Sequence, residues 1–104
     1  MKKFCCVLLA LLPLTAFAYP IDVQKDLNGM KIDYETFDTD NDIGSIRVAN
    51  YGDVDASCKA VFSNGPEAPR IRTIEVPAGK HKNATAKFTR EIIKLRIKLT
   101  CSPK

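Results

Sequence analysis

The chain has 104 residues, a formal net charge of +4, four cysteines, one histidine and no tryptophan. That length supports one domain and excludes a two-lobed enzyme. A single histidine excludes any metal site that needs two.

The chain opens on a short positive start, Met1-Lys2-Lys3. An uncharged run rich in Leu and Ala follows from Phe4 and closes on Ala16-Phe17-Ala18. Positive start, apolar middle and small residues at the A-x-A close are the three parts of a secretory signal. The apolar run is about 15 residues, short of the roughly 20 that a helix needs to span hydrocarbon. The expectation is a signal peptide over 1–18, cleaved after Ala18, and a single domain over 19–104 in the periplasm or outside the cell.

Cys5 and Cys6 precede the end of the apolar run, and Tyr19 stands where a lipid-modified cysteine would have to be. They belong to the leader, which leaves Cys58 and Cys101. In an oxidising compartment such a pair reads as a structural disulfide. A redox pair is more often closely spaced, as C-x-x-C.

Without the leader, 86 residues and a net charge of +2 remain. The charge is unevenly distributed. Residues 19–55 hold nine acids against Lys25, Lys31 and Arg47, whereas residues 56–104 hold eleven bases against Glu67, Glu75 and Glu91. This polarity signals either complementarity between two halves of one fold or a polarised binding surface.

Residues 20–28 are ambiguous. Asp22 through Leu27 suits a helical turn, while Asn28-Gly29 suits a hairpin. Beyond them, period-two alternation predicts strands: Met30–Tyr34, Ser45–Ala49, Val54–Phe62, Arg72–Val76, a segment with Ala84, Ala86 and Phe88, and Ile93–Cys101. Turn-formers separate them at Asn41-Asp42-Ile43-Gly44, Asn50-Tyr51-Gly52-Asp53, Ser63-Asn64-Gly65-Pro66 and Pro77-Ala78-Gly79-Lys80. Cys58 falls in phase with Ala56, Ala60 and Phe62, and Cys101 with Ile97 and Leu99. The two strands are therefore expected to meet across a shared core with the bridge buried inside. Short strands at this spacing predict an all-β fold, a small antiparallel β-sandwich or barrel.

The stretch Ile46-Arg47-Val48-Ala49-Asn50-Tyr51-Gly52, followed by Ala56-Ser57-Cys58-Lys59-Ala60-Val61-Phe62, resembles paired strands of exported immunoglobulin-like domains. Val76-Pro77-Ala78-Gly79 resembles a turn leading into a later strand of such domains. Together with Tyr19-Pro20-Ile21-Asp22-Val23, Asn64-Gly65-Pro66-Glu67-Ala68-Pro69 and Ile92-Ile93-Lys94-Leu95-Arg96-Ile97, the chain resembles a family of short exported bacterial proteins without an established activity. The resemblance implies an immunoglobulin-like β-sandwich. Members often carry the name 3-phosphoglycerate kinase, which fails on physical grounds. That kinase closes two large lobes round a nucleotide, and 86 residues cannot build them.

Three candidate sites follow from residue type. Asp38, Asp40 and Asp42 have the alternation of a calcium loop, but Ile43 stands where that loop wants Gly and Ala49 where it wants Glu. A solvated acidic turn is the simpler reading. Lys94, Arg96 and Lys98, with Arg90 and Lys87 nearby, predict a basic stripe suited to lipopolysaccharide or another anionic envelope component. His81 with Ser45, Ser57, Ser63 or Ser102, or a pair drawn from Glu67, Glu75 and Glu91, is the only catalytic material, and no motif assembles it. Asn83-Ala84-Thr85 fits a glycosylation sequon, which matters only in a eukaryotic secretory route. The expectation is a non-enzymatic protein without a cofactor or a specific nucleic acid. It would be a protein-interaction module of the bacterial envelope, with polyanion binding or inhibition of a hydrolase as alternatives.

Overall fold

The computed structural model describes residues 19–104, and the leader expected over 1–18 lies outside them. Seven strands form the domain: β1 (Ile21–Asp26), β2 (Ile32–Asp40), β3 (Ile43–Asn50), β4 (Ala56–Ser63), β5 (Arg70–Val76), β6 (His81–Lys87) and β7 (Leu95–Pro103). They make a four-stranded sheet in the order β1-β7-β4-β5 and a three-stranded sheet in the order β2-β3-β6. No helix is present among the described residues. All-β architecture with one Cys58–Cys101 disulfide is as the alternation implied.

The core is built by that alternation. Cys58, Ala60 and Phe62 of β4 and Leu95, Ile97, Leu99 and Cys101 of β7 meet Ile46 and Val48 of β3 and Ala84 and Ala86 of β6. Successive strand residues point to opposite faces, so each strand gives every second side chain to this one cluster. β3 approaches β7 closely at Gly44, where any Cβ would run into Leu95 Cδ2.

Cys58 and Cys101 are directly opposed in the antiparallel β4/β7 ladder, with Cα atoms 4.1 Å apart. The bridge is fully buried, as the cysteine phase required. It nevertheless joins neighbours within one sheet rather than strands from facing sheets. Alternation assigns a face but not a partner, so both arrangements fit the same pattern.

Several expectations are corrected. The fold is not wholly antiparallel, since β1 pairs with β7 in parallel, Ile21 opposite Leu95 and Asp26 opposite Thr100. A parallel pair needs a long connection, and here nearly the whole domain provides it. Residues 21–26 are a strand, and Asn28 and Gly29 both take positive φ in the Leu27–Met30 turn, closed by Met30 N–H on the Leu27 carbonyl. That turn does not make a hairpin, because β1 and β2 enter different sheets.

Two alternating runs also begin later than predicted. Val54 is half exposed because the Asn50 side chain holds residues 50–54 as a loop, accepting from Gly52 N–H and donating to the Val54 carbonyl. Ile93 is 77% exposed, and Ile92 takes the buried position instead. Ile92 N–H bonds the Asn41 carbonyl and Phe88 N–H that of Asp42, pinning this crossing against the β2/β3 turn. The expected separator at 41–44 shrinks to Asn41-Asp42, with Ile43 and Gly44 already in β3.

Candidate functional site

The two sides of the fold differ. Where β5 faces β6 across the gap between sheets, Arg72 Nε donates to the Thr85 carbonyl at 3.0 Å and Arg70 Nε to the Lys87 carbonyl at 3.2 Å. Arg70 and Arg72 alternate with exposed Ile71 and Thr73, so they point inward, where their guanidiniums reach the edge carbonyls of β6. The Arg70 guanidinium also lies over the Phe88 ring, 5.0 Å from its centroid. Two outward carbonyls of β6 are thereby occupied.

At its end, Glu67 accepts from Thr89 N–H, Arg90 N–H and the Asn64 side-chain amide. Desolvation pushes the Glu67 carboxyl up, but the hydrogen bonds outweigh it and hold the group below the ordinary carboxylate value.

On the opposite side, where β1 and β2 are the outermost strands, the crossing contacts are of another kind. Lys25 Nζ of β1 lies 5.5 Å from the centroid of the Tyr34 ring, and the Tyr19 hydroxyl donates to the Asp40 carbonyl at the end of β2. β2 is nine residues long and pairs only with β3. Tyr51 N–H donates to the Lys31 carbonyl, and Asn50 N–H turns away to Lys80. The alternation of an antiparallel ladder then directs Asp33, Glu35 and Phe37 main-chain groups to β3 and those of Tyr34 and Thr36 to the outer edge. Tyr34 N–H accordingly meets the Asp33 carboxylate at 2.9 Å, which brings that acid over the edge. Thr36 N–H has no acceptor among the described residues. The strand Ile32–Asp40 carries four acids, Asp33, Glu35, Asp38 and Asp40, and no base.

The acidic triplet anticipated at Asp38, Asp40 and Asp42 lies at the far end of this strand and its turn. Asp42 pairs with Lys87 Nζ at 2.7 Å, and Asp40 Oδ1 accepts from Asn41 N–H. Among the described residues no three acids, histidines or cysteines converge as a metal site would require. The Tyr19 hydroxyl, which feels the charge of all three acids, donates to the carbonyls of Ile43 and Asp40. Burial first, then the charges of Asp38, Asp40 and Asp42, raise its pKa from 10.0 to about 12.

The anticipated basic stripe is divided by the fold. Arg96 and Lys98 stand on the outer face of the four-stranded sheet, where Lys59 of β4 joins them diagonally across the β4/β7 ladder. Lys94 lies just before β7 and pairs with Asp22 at 3.2 Å, while Arg96 is opposite Asp22 in register. Lys87 belongs to the other sheet, and Arg90 to the crossing before β7. Lys59 was missed because its own strand holds no other base to mark it. The opposite charges of the two sequence halves therefore meet partly in intramolecular surface pairs, Asp22–Lys94 and Asp42–Lys87.

His81 lies on the outer face of the three-stranded sheet, beside a shallow concavity of ≈ 530 Å³ lined by Asp33, Glu35, Arg47 and Tyr51 among others. Ser57, Ser63 and Ser102 are on the other sheet, so the core separates them from it. Ser45 shares the three-stranded sheet but sits four positions along β3 from Ala49, the residue opposite His81, roughly 13 Å at strand rise. Its hydroxyl is engaged by Thr39 and Thr85. Glu67 and Glu75 flank opposite ends of β5, and Glu75 pairs with Lys104. The fold thus keeps the four serines apart from His81 and Glu75 apart from Glu67, while Glu91 follows directly on Arg90, whose N–H donates to Glu67.

No family model, curated protein or solved structure matches this chain.

Proposed function

We propose that this chain is an exported, non-enzymatic protein-interaction module of the bacterial envelope, an immunoglobulin-like β-sandwich that accepts a partner along one strand edge. The observation that carries the reading is the unpaired outer edge of β2. Arg70 and Arg72 occupy the edge carbonyls of β6, whereas β2 presents Thr36 N–H with no acceptor among the described residues. An unpaired edge is a template for an added strand, which gains main-chain hydrogen bonds along its length.

Seven strands divided four and three support the immunoglobulin-like reading. The bridge within one sheet and the parallel β1 depart from the common pattern of such domains. Export rests on the leader pattern at Met1–Ala18, and a buried disulfide suits the oxidising compartment to which export leads.

The test is capture from envelope extract by the chain and by its Thr36→Pro variant. Proline on an edge position whose N–H faces solvent leaves pairing with β3 intact and removes the outward donor. One stoichiometric protein retained by the parent and lost by the variant supports the reading; equal retention by both contradicts it. Lys59, Arg96 and Lys98 on one face favour a second reading, adhesion to lipopolysaccharide or another envelope polyanion. Retention of lipopolysaccharide that weakens steeply with salt, with no stoichiometric protein, would support that instead.

A further inference from the structure

We infer that the occupant of the β2 edge is an extended segment of a partner protein in which basic residues alternate with small apolar ones. The inference rests on the edge-docking reading above and adds the chemistry of the partner. Side chains of an added strand line up with those of β2, face by face. On the outer face they would stand beside Asp33 and Glu35, and on the inner face beside half-buried Ile32, Tyr34 and Thr36.

Glu35 already has Arg47 opposite it on β3, whereas Asp33 faces Ala49 and turns its carboxylate to the edge. An incoming strand that takes Tyr34 N–H displaces that carboxylate, beside which a cation on the new strand is favoured over an acid. The strand's four acids and absence of bases select a lysine or arginine for that place.

A second copy of the chain fits poorly in the register centred on Tyr34. Two β2 edges paired antiparallel about Tyr34 would set Asp33 of each copy opposite Glu35 of the other, and like charges directly opposed are destabilising. The polarity of the sequence finds an outlet here. Asp22 and Asp42 of the acidic half are neutralised by lysines of the basic half, but Asp33 has no ion pair among the described residues.

The experiment measures amide hydrogen exchange across β2 in the full chain, with short synthetic peptides alternating Lys with Val or Glu with Val. The Lys–Val peptide is expected to protect Thr36 and Tyr34 amides and to bind about tenfold more tightly than the Glu–Val peptide. The double variant Asp33→Lys/Glu35→Lys, its fold checked by unchanged protection of β4 and β7 amides, is expected to reverse that preference. Should that variant not fold, Asp33→Asn alone is expected to narrow the preference, and an unchanged ratio would count against the proposal. Equal protection by both peptides overturns the charge selection and leaves edge docking standing. Protection by neither overturns edge docking itself, the acids then serving only to keep foreign strands away. Concentration-dependent protection without any peptide makes a second copy the occupant and overturns the proposal.

Discussion

Arg72 Nε donates to the Thr85 carbonyl at 3.0 Å, so a side chain of one sheet occupies the main-chain edge of the other. With Arg70 on Lys87, two guanidiniums cap outward carbonyls of β6, whereas the β1/β2 side is crossed by the Lys25 ammonium over the Tyr34 ring and by the Tyr19 hydroxyl on the Asp40 carbonyl. Replacing both arginines by methionine keeps apolar stem volume but frees two edge carbonyls. The expected result is concentration-dependent self-association through β6, seen as earlier elution in size-exclusion chromatography, with a stability loss of about 1–3 kcal/mol. A variant that stays monomeric at high concentration would show that the arginines do not guard this edge.

The disulfide joins Cys58 and Cys101 across 43 positions, a loop whose closure the chain-entropy model values at about 4 kcal/mol. That is a large share of the roughly 5–15 kcal/mol by which small domains are stable. Replacing both cysteines by alanine should lower the urea midpoint by a corresponding amount. A midpoint unchanged under oxidising conditions would contradict the role of the bridge as a staple.

Glu67 ties the 64–70 loop to the Thr89 and Arg90 amides, and those bonds favour its charged form. Its folded pKa lies below its ordinary value of 4.5, so its contribution is complete above that value. The contribution is lost as pH falls through the lower folded value. Glu67→Gln should therefore be less stable at neutrality and show a shallower loss of stability on acidification. Parallel curves of urea midpoint against pH for parent and variant would refute this.

Gly44 packs so closely on Leu95 that any added Cβ meets Leu95 Cδ2. Gly44→Ala is expected to cost about 1–3 kcal/mol through overpacking, measurable by thermal melting. A second change, Leu95→Val, should recover part of it by shortening the clashing side chain. If Gly44→Ala melts with the parent, β3 and β7 are not in such close contact.

Much of the fold was legible because alternation is a local property. Leu95, Ile97, Leu99 and Cys101 declare an apolar face from their spacing alone, and the same holds for Ala56 through Phe62. The limits appear where side chains compete with that pattern. Asn50 holds Val54 out of β4, and the bonds of Phe88 and Ile92 to the β2/β3 turn turn Ile93 outward. Arg96 and Lys98 were visible as one basic strand face, but the place of Lys59 beside them was not, because it joins them only through strand pairing.

By itself the sequence determined the strand character of the chain, the inward phase of both cysteines and the opposite charge of its halves. All three follow from residue type and spacing along the chain. Tertiary structure alone decided that Cys58 and Cys101 are neighbours in one sheet and that β1 lies parallel to β7. It also decided that arginines cap carbonyls of β6 while Asp33 hangs over the edge of β2. The physical reason is that a period of two assigns each side chain to a face. Pairing partners, strand direction and exposed edges depend on residues tens of positions away, which no local pattern specifies.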